Sequence, residues 1–469
     1  MRSRALTKAK SKTRVPSFFP ASQQPAGTTR KLLQEPDGSV VRRTVLPTGL
    51  RVVSESVPGV RAATLGIWAG VGSRDETPAS AGAAHFLEHL LFKGTTRRTA
   101  MDVAAEVDAV GGQMNAFTSK EFTCFYAKVL GSDLGVAVDV MTDITTQALL
   151  RPTDIDAERS VILEEIGLHE DDSSDKAGEA VETAVLSGSK LALPILGTRT
   201  SITGMSPRTV RSFYKKHYQP QSLAVTAAGN VDHGHLVKLV RAATDNLDWP
   251  WGVAPATLHR GAPAKPTKTQ QNSVMIQPWP GEQSAIDMGT IGYPRAHPDR
   301  KTLEVLNVIL GGGMSSRLFQ AVREERGLAY SVYSTHSSFS DAGVWSAAAG
   351  CHRNNIADVL HVICNELGRL ATQGVSGEEL DRAKGHLSGS AVLAAEESSA
   401  RMVGLGRAEV ATGELMGIDE LLARIDSVTL PDINRVAAHI FSQPRHVCVV
   451  GATDNTKTRA TFLKALGMS

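Results

Sequence analysis

The sequence predicts an α+β protein of two structurally similar domains that arose by duplication, each a largely antiparallel sheet packed with helices. Three observations lead there. Strand-like runs alternate with helical runs on both sides of a Pro-rich break. A unit of helix, Pro break, apolar strand and Gly turn, Ser206–Asp232, recurs in the same order at Thr429–Asp454, about 222 residues later. The 469 residues, 42% hydrophobic and 21% charged, have ordinary globular composition. Length alone suggests three domains of about 150 residues; the repeat replaces three with two.

Residues 1–41 read as a disordered basic tail, without apolar periodicity. Arg2, Arg4, Lys8, Lys10, Lys12, Arg14, Arg30 and Lys31 precede the first acid, Glu35. Removing these eight from the 50 basic residues leaves 42 against 48 acids, so the +2 net charge is a basic tail on a body of −6. The tail lacks the apolar stretch of a secretory signal. It fits a bacterial low-complexity tail or a mitochondrial transit peptide. Without interleaved aromatic residues it does not read as a nucleic-acid binder. No apolar run approaches the ~18 residues of a membrane span. Cys124, Cys351, Cys364 and Cys448 form no C-x-x-C pair, which excludes a disulfide scaffold and favours a reducing compartment. That compartment is a bacterial cytoplasm, with the mitochondrial matrix as the alternative.

The first domain, 42–248, opens with strands Leu50–Val57 and Ala63–Val71. Ser80 is the expected N-cap of a helix from Ala81 to Phe92, closed by Gly94. A helix over Met101–Val110 and a strand pair over Gln113–Ser119 and Phe122–Leu130 follow. Helices over about 133–148, 153–169 and 206–217 lead to a strand at Ser222–Gly229. Residues 249–272, with Pro250, Pro255, Pro263 and Pro266, read as a linker. The second domain, 273–469, includes a helix over Arg317–Arg326 that Gly327 stops.

The sharpest motif is His85-Phe86-Leu87-Glu88-His89, an H-x-x-E-H inside a predicted helix. Residues four apart share a helix face, so His85 and His89 can address one metal ion. Glu88 flanks that face, within reach of a metal-bound water. A catalytic zinc site takes three protein ligands and leaves a position open. The segment Asp156–Glu170 offers Glu158, Glu164 and Glu165. Glu158 and Glu165 are two turns apart on one face, whereas Glu164 points about 100° away from Glu165. One of the same-face pair is the natural third ligand; the other orients a histidine.

Together with GLRVVSE, GSRDE, MNAFTSKE, ERSVILEEI, AAGNVD and GGGMSSRLFQAVREERGLAYSVYS, this motif resembles the pitrilysin–insulinase family of zinc metallopeptidases, whose inverted zinc motif is H-x-x-E-H. The resemblance runs from about Arg42 to Asp454 and is strongest to the short two-domain branch of bacterial and mitochondrial processing proteases. It implies one Zn2+ per chain on His85, His89 and Glu165, Glu88 as general base, and Glu158 behind a ligand. It implies that Arg323 and Tyr330 hold substrate and complete the active site, and that Asn115 and Ala116 lie on the strand that pairs with bound peptide. Asp175 and Glu179 match acidic positions that bind arginine near the cleavage site; their alternative reading is a solvated acidic face. The resemblance further implies peptide substrates and a homodimer forming a closed chamber, with no nucleic-acid or membrane partner. By the repeat offset, the counterparts of the histidines fall on Val308–Gly312 and that of Glu165 near Ser388, so only the first domain is expected to bind metal. Lys190–Pro194 departs from the family pattern. The remaining histidines have bland readings: His233 and His235 at the surface after Gly229, His169 exposed beyond the ligand face.

Overall fold

A computed structural model of the chain describes residues 20–256 and 271–467. Residues 1–19 of the expected tail and 257–270 of the expected linker lie outside the described residues. The first half builds seven strands: β1 (Thr29–Gln34), β2 (Val40–Val45), β3 (Arg51–Ser56), β4 (Ala62–Ala69), β5 (Gln113–Thr118), β6 (Thr123–Leu130) and β7 (Leu223–Gly229). Their spatial order is β1-β2-β3-β7-β4-β6-β5. The second half builds β8 (Ser273–Gln277), β9 (Gln283–Gly292), β10 (Ala329–Ser338), β11 (Gly343–His352) and β12 (His446–Val450). Their order, β8-β12-β9-β11-β10, repeats β3-β7-β4-β6-β5 strand for strand. In each five-strand set the first pair, β3–β7 or β8–β12, is parallel and the next three are antiparallel. The duplicated unit seen in the sequence is thus a duplicated topology.

One correction falls in the tail. Residues 29–41, assigned there by sequence, pair as β1 and the start of β2 on the edge of the first sheet. A register shift between Lys31 and Leu33 marks a bulge, and only Leu32 and Leu33 of β1 are even half-buried. A bulge breaks the period of two on which strand recognition depends.

The first-half helices are α1 (Ala83–Leu91), α2 (Ala100–Asp108), α3 (Leu134–Thr146), α4 (Pro152–Glu170), α5 (Ser173–Val185), α6 (Arg199–Gly204), α7 (Pro207–His217) and α8 (His233–Thr244). The second half has α9 (Arg300–Gly311), α10 (Ile356–Gln373), α11 (Gly377–Ala395), α12 (Ser398–Arg407), α13 (Ile418–Asp426), α14 (Leu430–Phe441) and α15 (Thr456–Ala465). Where the sequence predicts one helix over Arg317–Arg326, the chain forms a widened helical turn at Phe319–Glu324, with the Glu325 amide bonded to the Gln320 carbonyl at 2.9 Å.

Side chains alternate across each sheet, and the two faces go to different partners. Val52, Ile67, Phe125 and Val225 face the first domain's own helices, with Phe86, Met141 and Leu236. Val53, Trp68, Cys124 and Ala224 face the opposite way, onto Met402 and Leu405 of α12 from the second half. The second sheet mirrors this. Ile286, Met288 and Val449 pack on their own helices, whereas Ala285, Cys448 and Val450 receive Ala177, Val181 and Val185 of α5. The halves therefore exchange one helix each, and neither sheet is covered on both faces by its own segment. Each large apolar side chain buried in this way contributes roughly 1.5–3 kcal/mol. Close approach demands glycine here: a Cβ on Gly406 would land within the indole of Trp68.

Candidate active site

Glu76 and Gly82 start the helix that carries the motif. Gly82, the residue before α1, has φ 90°, a left-handed conformation that glycine adopts without strain. The Glu76 carboxylate accepts from the Gly82 and Ala84 amides at 2.7 Å each, satisfying open donors at the helix start. Ser80, the expected cap, lies in the preceding turn. The sequence gives no short-range signal for Glu76, because it caps from six residues upstream. Phe86, Leu87, Leu90 and Leu91 are buried and fix the helix on the first sheet.

The opposite face carries the motif's chemistry. The imidazoles of His85 and His89 lie with centroids 4.7 Å apart. Oε2 of Glu165, on α4, stands 3.6 Å from Nε2 of each. The three ligand atoms lie within 4.8 Å of one another; no other such trio occurs among the described residues. Glu165 Oε2 is buried without a hydrogen-bond partner. This fits a cation: tetrahedral zinc with bonds of about 2.0–2.1 Å holds its ligand atoms about 3.3 Å apart. An imidazole that is neutral is ready to ligate. Burial, and then the neighbouring His89, push His85 down to about 4.

Glu158, the other member of the same-face pair, lies behind His89. Its Oε2 is 3.1 Å from His89 Nδ1 and its Oε1 is 2.6 Å from Lys93 Nζ. With Nδ1 hydrogen-bonded to Glu158, Nε2 is left for the metal side. The geometry thus separates the two carboxylates that helix periodicity leaves equivalent. Glu88 is held from the other side, where Thr118 Oγ1 donates to its Oε2 at 2.5 Å. Burial raises the Glu88 carboxyl, and the Thr118 hydrogen bond opposes the rise.

Asn115 and Ala116 sit on β5, the edge strand nearest α1, whose outer edge has no strand partner among the described residues. Arg323 and Tyr330 form a separate pair. The Arg323 guanidinium lies 4.9 Å from the Phe319 ring and 5.4 Å from the Tyr330 ring. Tyr330 occupies the bulge of β10 and is 80% exposed. No hydrogen bond or ion pair joins either residue to His85, Glu88, His89 or Glu165 among the described residues. Asp175 and Glu179 on α5 grip His169, at 3.2 Å to Nδ1 and 2.7 Å to Nε2. His169 is therefore not a free exposed side chain. Nor is His233 at the surface: it is buried, bridging Thr44 and Ser54 at 2.8 Å each. Both partners lie far off in sequence, where local patterns cannot reveal them. Cys124 is a core residue, as its apolar strand suggests. Lys190, in the loop that departs from the family pattern, reaches the Glu76 carbonyl at 3.4 Å.

The profile described as Insulinase (Peptidase family M16) matches residues 51–199, and that described as Peptidase M16 inactive domain matches 204–387. A zinc protease of Streptomyces coelicolor is 46% identical over 90% of this chain and 92% of its own length. One of Mycobacterium tuberculosis is 42% identical over 91% and 96%, respectively. The crystal structure of a protease from Helicobacter pylori, 21% identical, superposes with a TM-score of 0.80 over 88% of this chain and 99% of that one. A structure titled peptidase M16 inactive domain, from Pseudomonas fluorescens, gives 0.79 at 17% identity, over 88% and 98%. These last two share the fold. With a trio able to hold a metal found, among the described residues, only in the first of two matching halves, the chain belongs to the insulinase family, peptidase family M16, and is a zinc metallopeptidase.

Proposed function

We propose that the chain is an endopeptidase that hydrolyses unfolded peptides or precursor segments, with one zinc ion per chain held by His85, His89 and Glu165. The observation that carries this is Glu88 beside that trio, one carboxylate oxygen held by Thr118 and the other left to accept a proton. A zinc ion so bound supplies Lewis-acid activation of water and of the scissile carbonyl. Glu88 takes a proton from the attacking water and returns it to the leaving amine. Glu158 and Lys93 keep His89 in its ligating orientation. Backbone groups on the outer edge of β5, at Asn115 and Ala116, pair with an extended substrate, a mode that tolerates many sequences. Arg323 and Tyr330, by the family resemblance, complete the site from the second half; Tyr330 offers a hydroxyl donor for the developing oxyanion. Asp175 and Glu179 form a subsite for a basic side chain, which displaces His169. Two copies close a chamber around the peptide, as the short-branch resemblance implies. The bacterial relatives favour the bacterial cytoplasm over the mitochondrial matrix. The test is zinc content and peptide turnover of wild type beside Glu88→Gln. The variant keeps near-stoichiometric zinc and loses hydrolysis; equal turnover by the two proteins refutes the mechanism.

A further inference from the structure

The second half of the chain holds the turn that follows Thr118, the residue bonded to Glu88. That turn, residues 119–122, joins β5 to β6. Its Glu121 is 1% exposed and binds across the domain boundary. Glu121 Oε1 accepts from Arg74 at 2.5 Å, and from the hydroxyl and amide of Ser340 at 2.7 and 3.1 Å. Its other oxygen accepts from Arg295. Arg74 in turn bonds Asp341 at 2.8 Å, in the turn between β10 and β11. The first domain pins the same turn with the Arg74 amide on the Lys120 carbonyl at 3.0 Å and the Ser73 amide on the Ser119 carbonyl at 3.3 Å. Thr118 is the last residue of β5 before this turn. Thr123 opposes it in the ladder, with its Oγ1 3.4 Å from Thr118 Oγ1 and its proton given to the Val71 carbonyl at 3.0 Å. An ionised carboxylate can only accept, so the Thr118 hydroxyl gives its proton to Glu88 Oε2 at 2.5 Å.

We propose that Thr118 is a positioning residue for Glu88, and that the second half sets its place through the contacts of Arg295 and Ser340 with Glu121 and of Asp341 with Arg74, which itself binds Glu121. This rests on the zinc-endopeptidase reading and assigns the non-metal half a role in it beyond substrate contact. One hydroxyl fixes the rotation of the Glu88 carboxylate and leaves Oε1 for the proton of the attacking water. A hydrogen bond to a charged acceptor is strong enough that its loss slows the chemical step about tenfold or more. Substrate affinity and metal binding do not pass through this hydroxyl.

The test compares wild type, Thr118→Val, Thr118→Ser, Glu121→Gln and Glu88→Gln, all zinc-loaded, on an unstructured fluorogenic peptide. Thr118→Val keeps its zinc and its KM and loses kcat about tenfold or more; Thr118→Ser restores kcat. Glu121→Gln also lowers kcat with zinc retained. In metal-free protein, the side-chain carboxyl carbon resonance assigned by its loss in Glu88→Gln shifts in Thr118→Val and not in Thr118→Ser. Unchanged kcat and resonance in Thr118→Val overturn the inference, as does a serine variant as slow as the valine one. Unchanged kcat in Glu121→Gln overturns the part assigned to the second half. Wild-type hydrolysis no faster than that of Glu88→Gln would sink the peptidase reading, and this inference with it.

Discussion

Removing the carboxylate of Glu158 should weaken zinc binding without removing a ligand. Glu158 is 4% exposed, and the His89 ring is oriented by the 3.1 Å contact between its Nδ1 and Glu158 Oε2. Partners of ligating histidines typically account for 10- to 100-fold in metal affinity, about 1.4–2.7 kcal/mol. The structure divides that range. Glu158→Gln keeps the chain length and one amide oxygen that can accept from Nδ1, so a loss near tenfold is expected. Glu158→Ala leaves both Nδ1 and the Lys93 ammonium, now 2.6 Å from Glu158 Oε1, without this partner. Its loss should approach a hundredfold. Glu165→Gln, which alters a ligand itself, should lose more than either. Competition against a chromophoric chelator at neutral pH measures all three. Wild-type zinc affinity in Glu158→Ala would refute the argument that this carboxylate orients the ligand.

Three other outcomes are expected. Burial alone would raise the Glu121 carboxyl, but Arg295 and Ser340 outweigh it and hold it at about 2, below its ordinary 4.5. The resulting stability is present above pH 4.5 and lost as pH falls toward 2, roughly 3 kcal/mol in all. Urea unfolding of metal-free wild type should show that acid loss, and Glu121→Gln should lack it; parallel pH profiles contradict the assignment. Gly406→Ala should cost about 1–3 kcal/mol, because its methyl collides with Trp68 beneath the exchanged helix α12. An unchanged unfolding midpoint would show that this packing is not as tight as described. Asp175→Asn with Glu179→Gln should reduce kcat/KM for Arg-containing peptides by roughly fivefold, the scale of two exposed ion pairs, and spare peptides without basic residues. An equal effect on both peptide sets refutes the basic subsite.

Periodicity and spacing made much of this molecule readable. The i, i+4 histidines had to share a face, since α1 is a regular helix whose Leu87, Leu90 and Leu91 bind it to the core. The repeated helix, Pro break and strand around Ser206–Asp232 and Thr429–Asp454 exposed the duplication, because a strand buried on both faces reads as a continuous apolar run. Local signals failed where partners are remote or regularity is broken. A bulge hid β1, and Glu76 caps its helix from across a turn. Glu158 and Glu165 remained interchangeable by helix geometry; only the position of α4 against α1 brought one to both Nε2 atoms and the other to Nδ1.

The sequence by itself determined the kind of chemistry, the half that carries it and the architecture of two alike sheets, because these rest on residues close together or on an internal repeat. Tertiary structure alone decided three things: the exchange of α5 and α12, the hydroxyl that holds Glu88, and the clasp of Arg295 and Ser340 on Glu121. Each depends on contacts between segments far apart in the chain, and such contacts leave no period in the sequence.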